Sequence, residues 1–236
     1  MYHEFVRGFS LLIGYFAVCV ALVFVLRKFV TLPKEVARKS LHMILLGSVF
    51  IWVYGFNTWW VAALAALVFM ALVFPILAVA EKWSKYAEML VERKPGEIKG
   101  SLIAVCLTFA LLIFICWGAL GQRYLVIAAV LGWGLGDAAA ALVGKRFGKH
   151  IIEGPFVEGR KSLEGTLAMF AVSFTAVLLV LVIHGVLPWY AYVPTAGLTA
   201  LVCALVELYT RNGMDTVTCP LAAISVLIPL LCLWGA

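Results

Sequence analysis

Long apolar runs alternate with short polar stretches from one end of this chain to the other. Runs long enough to cross a hydrocarbon core of about 30 Å fall at 5–26, 38–56, 58–80, 100–119, 122–143, 165–187, 189–208 and 217–234. The pattern predicts an all-α polytopic integral membrane protein of seven or eight transmembrane helices. No polar stretch is long enough for a separate soluble domain, so residues 1–236 read as a single membrane domain. Residues 82–94 carry Trp83, Tyr86, Ala87, Leu90 and Val91 at helical spacing, which predicts an interfacial helix lying at headgroup level.

Composition agrees. Only 13% of residues are charged, against 65% hydrophobic; soluble domains carry about 25% charged residues. The net charge of +6 is then a matter of topology, and no nucleic-acid partner is expected. Sixteen of the eighteen Lys and Arg fall in the 27–40, 81–99, 144–164 and 209–216 connections, leaving Arg7 and Arg123 opposite. With eight spans these connections share one side. The positive-inside rule makes that side cytoplasmic. Eleven of the twelve acids lie on that side or at span ends facing it, all but Glu4. Anchoring needs no acids, so the mixture predicts a polar site at the cytoplasmic face. The six cysteines sit in apolar runs without a CxxC pair and read as reduced, buried thiols. The N-terminus MYHEFVRGFS runs into an apolar span without an A-x-A site, so no cleavable signal is expected. The short loops favour a prokaryotic plasma membrane, or the ER membrane in a eukaryote.

Asp137 is the one charge between Tyr124 and Gly144. A carboxylate in hydrocarbon is costly and faces a protein interior, a water-filled cavity or a bound ion. Gly132 and Gly136 before it form a small-xxx-small pair that permits close helix approach. A helix puts Asp137 about 12 Å below Lys145, where a Mg²⁺ ion held by it reaches phosphates at the surface. The connection GKRFGKHIIEGPFVEGRKSLEG supplies Lys145, Lys149, Arg160 and Lys161. Ser162 is placed to cap the following helix, whose N-terminus attracts anions. The GxxxxGK[ST] spacing of a Walker A loop is absent. Arg38, Lys39 and His42 open the second span as RKSLH, with Arg38 and His42 on one face. Glu207 closes the seventh span and Asp215 opens the eighth, so both belong at the cytoplasmic face, near the level of Lys161. They suit a second metal site, a general base or helix-end partners of Arg211. His3, His150 and His184 show no partner spacing and receive no role.

The pattern RKxxH, then GD with GKRFGKH, then GRKSLEGT, then an acid before DTVTCPL resembles the CTP-dependent lipid kinases, over roughly Arg38 to Leu221. That family includes dolichol kinase, phytol kinase and the CTP-dependent diacylglycerol kinase. The central block is also similar to phosphatidate cytidylyltransferase, but the C-terminal motif of that enzyme has no counterpart here. The kinases usually show D-D-N where this chain has Met214, Asp215 and Thr216. The resemblance implies transfer of the γ-phosphate of CTP to a lipid alcohol with Mg²⁺. In that reading Asp137 and Asp215 hold Mg²⁺, and Glu207 or Asp215 acts as base. Arg160, Lys161 and Lys99 hold the triphosphate, and Arg38 and His42 orient phosphate or nucleotide. Lys39, Lys145, Lys149 and Ser162 complete the nucleotide side. Polyprenol, dolichol, phytol or geranylgeraniol are the expected acceptors, with diacylglycerol, CDP-lipid synthesis and anionic-lipid transport as the competing expectations.

Overall fold

The computed structural model describes residues 2–30, 33–83, 92, 96–155, 157, 161–211 and 213–235. Among them are eight helical segments long and apolar enough to cross a membrane, and the protein is an integral membrane protein. The chain forms two compact units, Met1–Leu120 and Gly121–Ala236. The expected interfacial helix at 82–94 lies, apart from Lys82, Trp83 and Glu92, outside the described residues.

The first unit contains α1 (Tyr2–Phe29), α2 (Lys34–Gly47), α3 (Val49–Tyr54), α4 (Trp59–Ala80) and α5 (Glu97–Leu112). The second apolar run is thus one span in two pieces. At the break, the Ser48 hydroxyl donates back to the Leu45 carbonyl (2.6 Å) and accepts from Trp52 Nε1 (3.2 Å). A Gly-Ser step with such back-bonding bends a helix. A π-helical turn, Ile113–Ala119, continues α5; the Trp59 ring packs where a Cβ on Gly118 would stand, 2.9 Å away. Pro75 is tolerated inside α4, as is common in membrane helices. Glu4 accepts from the amides of Asn57 and Thr58 (both 2.8 Å) and from the Thr58 hydroxyl (3.1 Å). The single acid expected away from the cytoplasmic side thereby satisfies donors at the start of α4 and complements its dipole. Only 6% of the α1 apolar window is buried, as expected of a helix facing lipid.

The second unit contains α6 (Arg123–Phe147), α7 (Leu163–His184), α8 (Tyr192–Tyr209) and α9 (Asp215–Trp234). Between α6 and α7 lies a ribbon of two-residue strands, β1 (Ile151–Ile152) and β2 (Lys161–Ser162). In the α6 window 61% of residues are buried, the largest share of any span. Glycines let α7 approach α6 closely. A Cβ on Gly132 would meet Val177 at 2.9 Å, one on Gly136 would meet Met169 Sδ at 2.6 Å, and one on Gly165 would meet the Ala140 carbonyl at 3.0 Å. Gly165, Met169, Ser173 and Val177 recur every four residues, a ridge seated in the α6 groove. Ser173 Oγ donates to the Gly132 carbonyl at 2.6 Å across the seam. The small-xxx-small expectation at Gly132 and Gly136 corresponds to this contact. All six cysteines are free thiols; Cys106, Cys116, Cys203 and Cys219 are buried, Cys19 is half-buried and Cys232 is exposed.

Candidate active site

Among the described residues of the second unit, ionisable groups meet where α6, α8, α9 and β2 converge. The α8–α9 pairing sets its geometry. Cys203 Sγ lies 3.8 Å from the Cys219 carbonyl and Cys219 Sγ lies 3.9 Å from the Cys203 carbonyl. The two helices run antiparallel with these residues side by side. One turn towards the connecting loop, Glu207 on α8 comes level with Asp215 on α9, because residues four apart share a helix face.

Asp137 approaches from α6. Trp133, four residues earlier on that helix, donates from Nε1 to Asp215 Oδ2 at 3.5 Å. Asp137 lies one turn further along the same face, towards the basic loop. The charges of both Asp137 and Asp215 act on Glu207, so three carboxylates share one neighbourhood. Lys161 is the cation facing them. Its Nζ donates to Glu207 Oε1 at 2.7 Å and to the Glu207 backbone carbonyl. The pair is mostly enclosed, with side-chain exposures of 20% and 13%.

The expected cap is present: Ser162 Oγ accepts from the Gly165 amide at 3.2 Å. Lys145 lies in the last turn of α6, which extends further than hydropathy indicated; Lys145 and Lys149 are both exposed. Arg211 donates to the Pro155 carbonyl, tying the α8–α9 turn to the segment between the strands. Arg160 lies outside the described residues.

The other expected residues belong to the first unit. Arg38 pairs with Glu35 on the same helix. Lys39 is buried, and His42 follows Arg38 by one turn. Lys99 pairs with Glu81, linking the start of α5 to the residue that closes α4.

Among the described residues, no three Asp, Glu, His or Cys side chains form a ready-made metal-binding group. The donors present are nevertheless carboxylate oxygens, hard ligands of the type Mg²⁺ takes. That ion uses one or two carboxylates and completes its shell with water and substrate phosphate. Asp137 and Asp215 fit such a partial set.

Two polar contacts have no signature in the sequence. Trp133 reads as a core aromatic, and its bond to Asp215 spans 82 positions. His150, which carried no partner spacing, has its Nδ1 2.7 Å from Glu164 Oε1. A ribbon too short for a hydropathy pattern brings these two together.

No family model and no solved structure matches the chain. The phytol kinase of Synechocystis sp. is 30% identical to it over 200 residues, covering 81% of this chain and 77% of that protein. The matched length spans most of both sequences, and the chain belongs to the family of membrane lipid kinases that includes phytol kinase.

Proposed function

We propose that the protein transfers the γ-phosphate of CTP to the hydroxyl of a membrane lipid alcohol of the phytol or polyprenol type, at the cytoplasmic face. The observation that carries this reading is the cluster of Asp137, Glu207 and Asp215 facing Lys161, in a chain similar to a phytol kinase. Phosphoryl transfer needs little covalent work from a protein; positioning and charge neutralisation supply most of the catalysis. The cluster offers both. Lys161 neutralises charge on the triphosphate, with Arg160, Lys145 and Lys149 along the same connection as further contacts. Asp137 and Asp215 would hold Mg²⁺, which supplies charge stabilisation at the phosphates when bound. Glu207 or Asp215 takes the proton of the attacking hydroxyl as the new O–P bond forms and CDP leaves. The apolar tail of the acceptor stays in lipid, entering between spans. The sixteen-to-two distribution of basic residues supports a cytoplasmic site.

The test is incubation of purified protein with CTP labelled in the γ-phosphate and a panel of phytol, geranylgeraniol, polyprenol, dolichol and diacylglycerol. Labelled lipid phosphate is expected from an isoprenoid alcohol. Its absence from every acceptor refutes the reading. Transfer only to diacylglycerol would move the acceptor to glycerolipids. Transfer of ring label rather than γ-label would identify a cytidylyltransferase.

A further inference from the structure

We propose that His150 and Glu164 form a positioning pair that pins the β1–β2 ribbon in register and so sets where Lys161 reaches. The inference rests on the reading of Lys161 as a contact to the phosphoryl donor. His150 and Glu164 bond to each other, and His150 has 76% of its side chain exposed, so the role is positioning rather than catalysis.

The ribbon has two residue pairs, Ile151 with Ser162 and Ile152 with Lys161. A ladder that short is not stable by itself. It is fastened at its open end by contacts that all converge on the first turn of α7. The Leu163 amide donates to the His150 carbonyl at 2.9 Å. Glu164 accepts from the His150 amide at 3.3 and 3.4 Å and meets His150 Nδ1 at 2.7 Å. On the α6 side, the Gly148 amide donates to the Gly144 carbonyl at 3.0 Å. A Cβ on Gly148 would stand 2.7 Å from Ser162 Oγ. The end of α6, both strands and the start of α7 thus meet at one point.

Register matters because successive strand residues point to opposite faces. In the observed register Ser162 turns inward to cap α7 while Lys161 reaches Glu207 on α8. A slip of one position would exchange those directions. It would remove the cap and carry the ammonium away from the carboxylates. The pair stands beside Ile151–Ser162, the last rung, where a pin against slippage is most effective. Exposed ion pairs add little to global stability. The pair therefore acts through the aim of Lys161 rather than through its own ion-pair energy.

The experiment compares wild type with His150→Ala, Glu164→Ala, the double variant and His150→Gln, whose amide keeps a donor for Glu164. The first readout is carbodiimide crosslinking of Lys161 to Glu207, followed by peptide mass spectrometry in detergent. The second is kinase kinetics. Crosslinking is expected to fall at least about fivefold in both alanine variants and to persist in His150→Gln. KM for CTP is expected to rise about tenfold, with kcat and the lipid-alcohol KM within about twofold. The double variant should be no worse than either single one, because both changes break one contact. Melting temperatures of the alanine variants should fall by no more than that of Lys161→Met, since Glu207 loses the same partner while the ammonium stays on the chain. Unchanged crosslinking overturns the proposal, as does lost crosslinking with an unchanged CTP KM. If the wild type phosphorylates no lipid, the kinase reading fails instead, and crosslinking alone then decides whether the pair aims Lys161.

Discussion

Removing the cation from a cluster of three acids should destabilise the second unit, and the size of the effect follows from the geometry. In Lys161→Met the methionine retains an unbranched apolar stem but loses the ammonium that donates to the Glu207 carboxylate and to its backbone carbonyl. Breaking a buried pair by removing one partner costs about 3–5 kcal/mol, because the remaining charge is left without compensation. Exposures of 20% and 13% put this pair near the lower end, at about 3 kcal/mol. Asp137 and Asp215 add to the strain, since both act on Glu207. For a chain of this size each kcal/mol moves the midpoint by about 2–4 °C, giving a fall of about 6–12 °C. The buried thiols of Cys203 and Cys219 on α8 and α9 make a direct assay. After Cys19 and Cys232 are replaced by alanine, a thiol-reactive dye labels the four buried thiols during heating, and peptide mass spectrometry separates Cys203 and Cys219 from Cys106 and Cys116 of the first unit. Glu207→Gln combined with Lys161→Met should recover part of the loss, because a neutral amide in place of the carboxylate leaves no uncompensated charge. Mg²⁺ should raise the midpoint of Lys161→Met more than that of wild type, since an ion bound at the acids takes over the missing compensation. A midpoint within about 2 °C of wild type, or strict additivity in the double variant, would refute the charge-compensation argument.

Three further outcomes follow. Asp137→Asn should lose at least about 10³-fold in kcat while its thiol-exposure midpoint stays within a few degrees of wild type; retained turnover with unchanged Mg²⁺ dependence removes Asp137 from the mechanism. Gly136→Leu should cost at least about 1–3 kcal/mol, read in the same thermal assay, because even a Cβ there meets Met169 Sδ at 2.6 Å; a stable variant would show that the α6–α7 seam yields. Glu4→Ala removes the acceptor at the start of α4 and should cost about 1 kcal/mol, seen as a lower midpoint with lipid-kinase KM values unchanged.

The sequence carried the spans because the bilayer imposes a one-dimensional rule. A backbone crossing hydrocarbon must satisfy its own polar groups, so length and hydropathy alone identify the helices. The same rule explains the errors at the ends. Helix α2 begins at Lys34 rather than 38, α6 runs to Phe147 rather than 143, and α9 begins at Asp215 rather than 217. Those extra turns lie in polar sequence, where hydropathy no longer reports helix. Features set by a single local hydrogen bond, such as the break at Ser48 and the π-helical turn, leave no periodic trace.

Site legibility divides along the same line. Asp137 stands out by cost, an ionisable group where none is tolerated without a reason. Glu207 and Asp215 could be placed at one level because a short turn joins their helices. Lys161 was singled out for its charge, but its partner was not readable. The pair spans 46 positions, and helix packing rather than spacing decides which end of α8 meets the ribbon. His150 failed for a sharper reason. Histidine chemistry is legible at helical or metal-ligand spacing, and 14 residues to Glu164 is neither. Only an intervening ribbon can close that separation, and two-residue strands carry no alternation from which to infer one. The Trp133–Asp215 contact is hidden among packed spans, whereas the ribbon contacts are hidden in a connection outside the hydrocarbon. There the chain is free of the bilayer's rule, and the residues that position the polar site are held by local geometry instead.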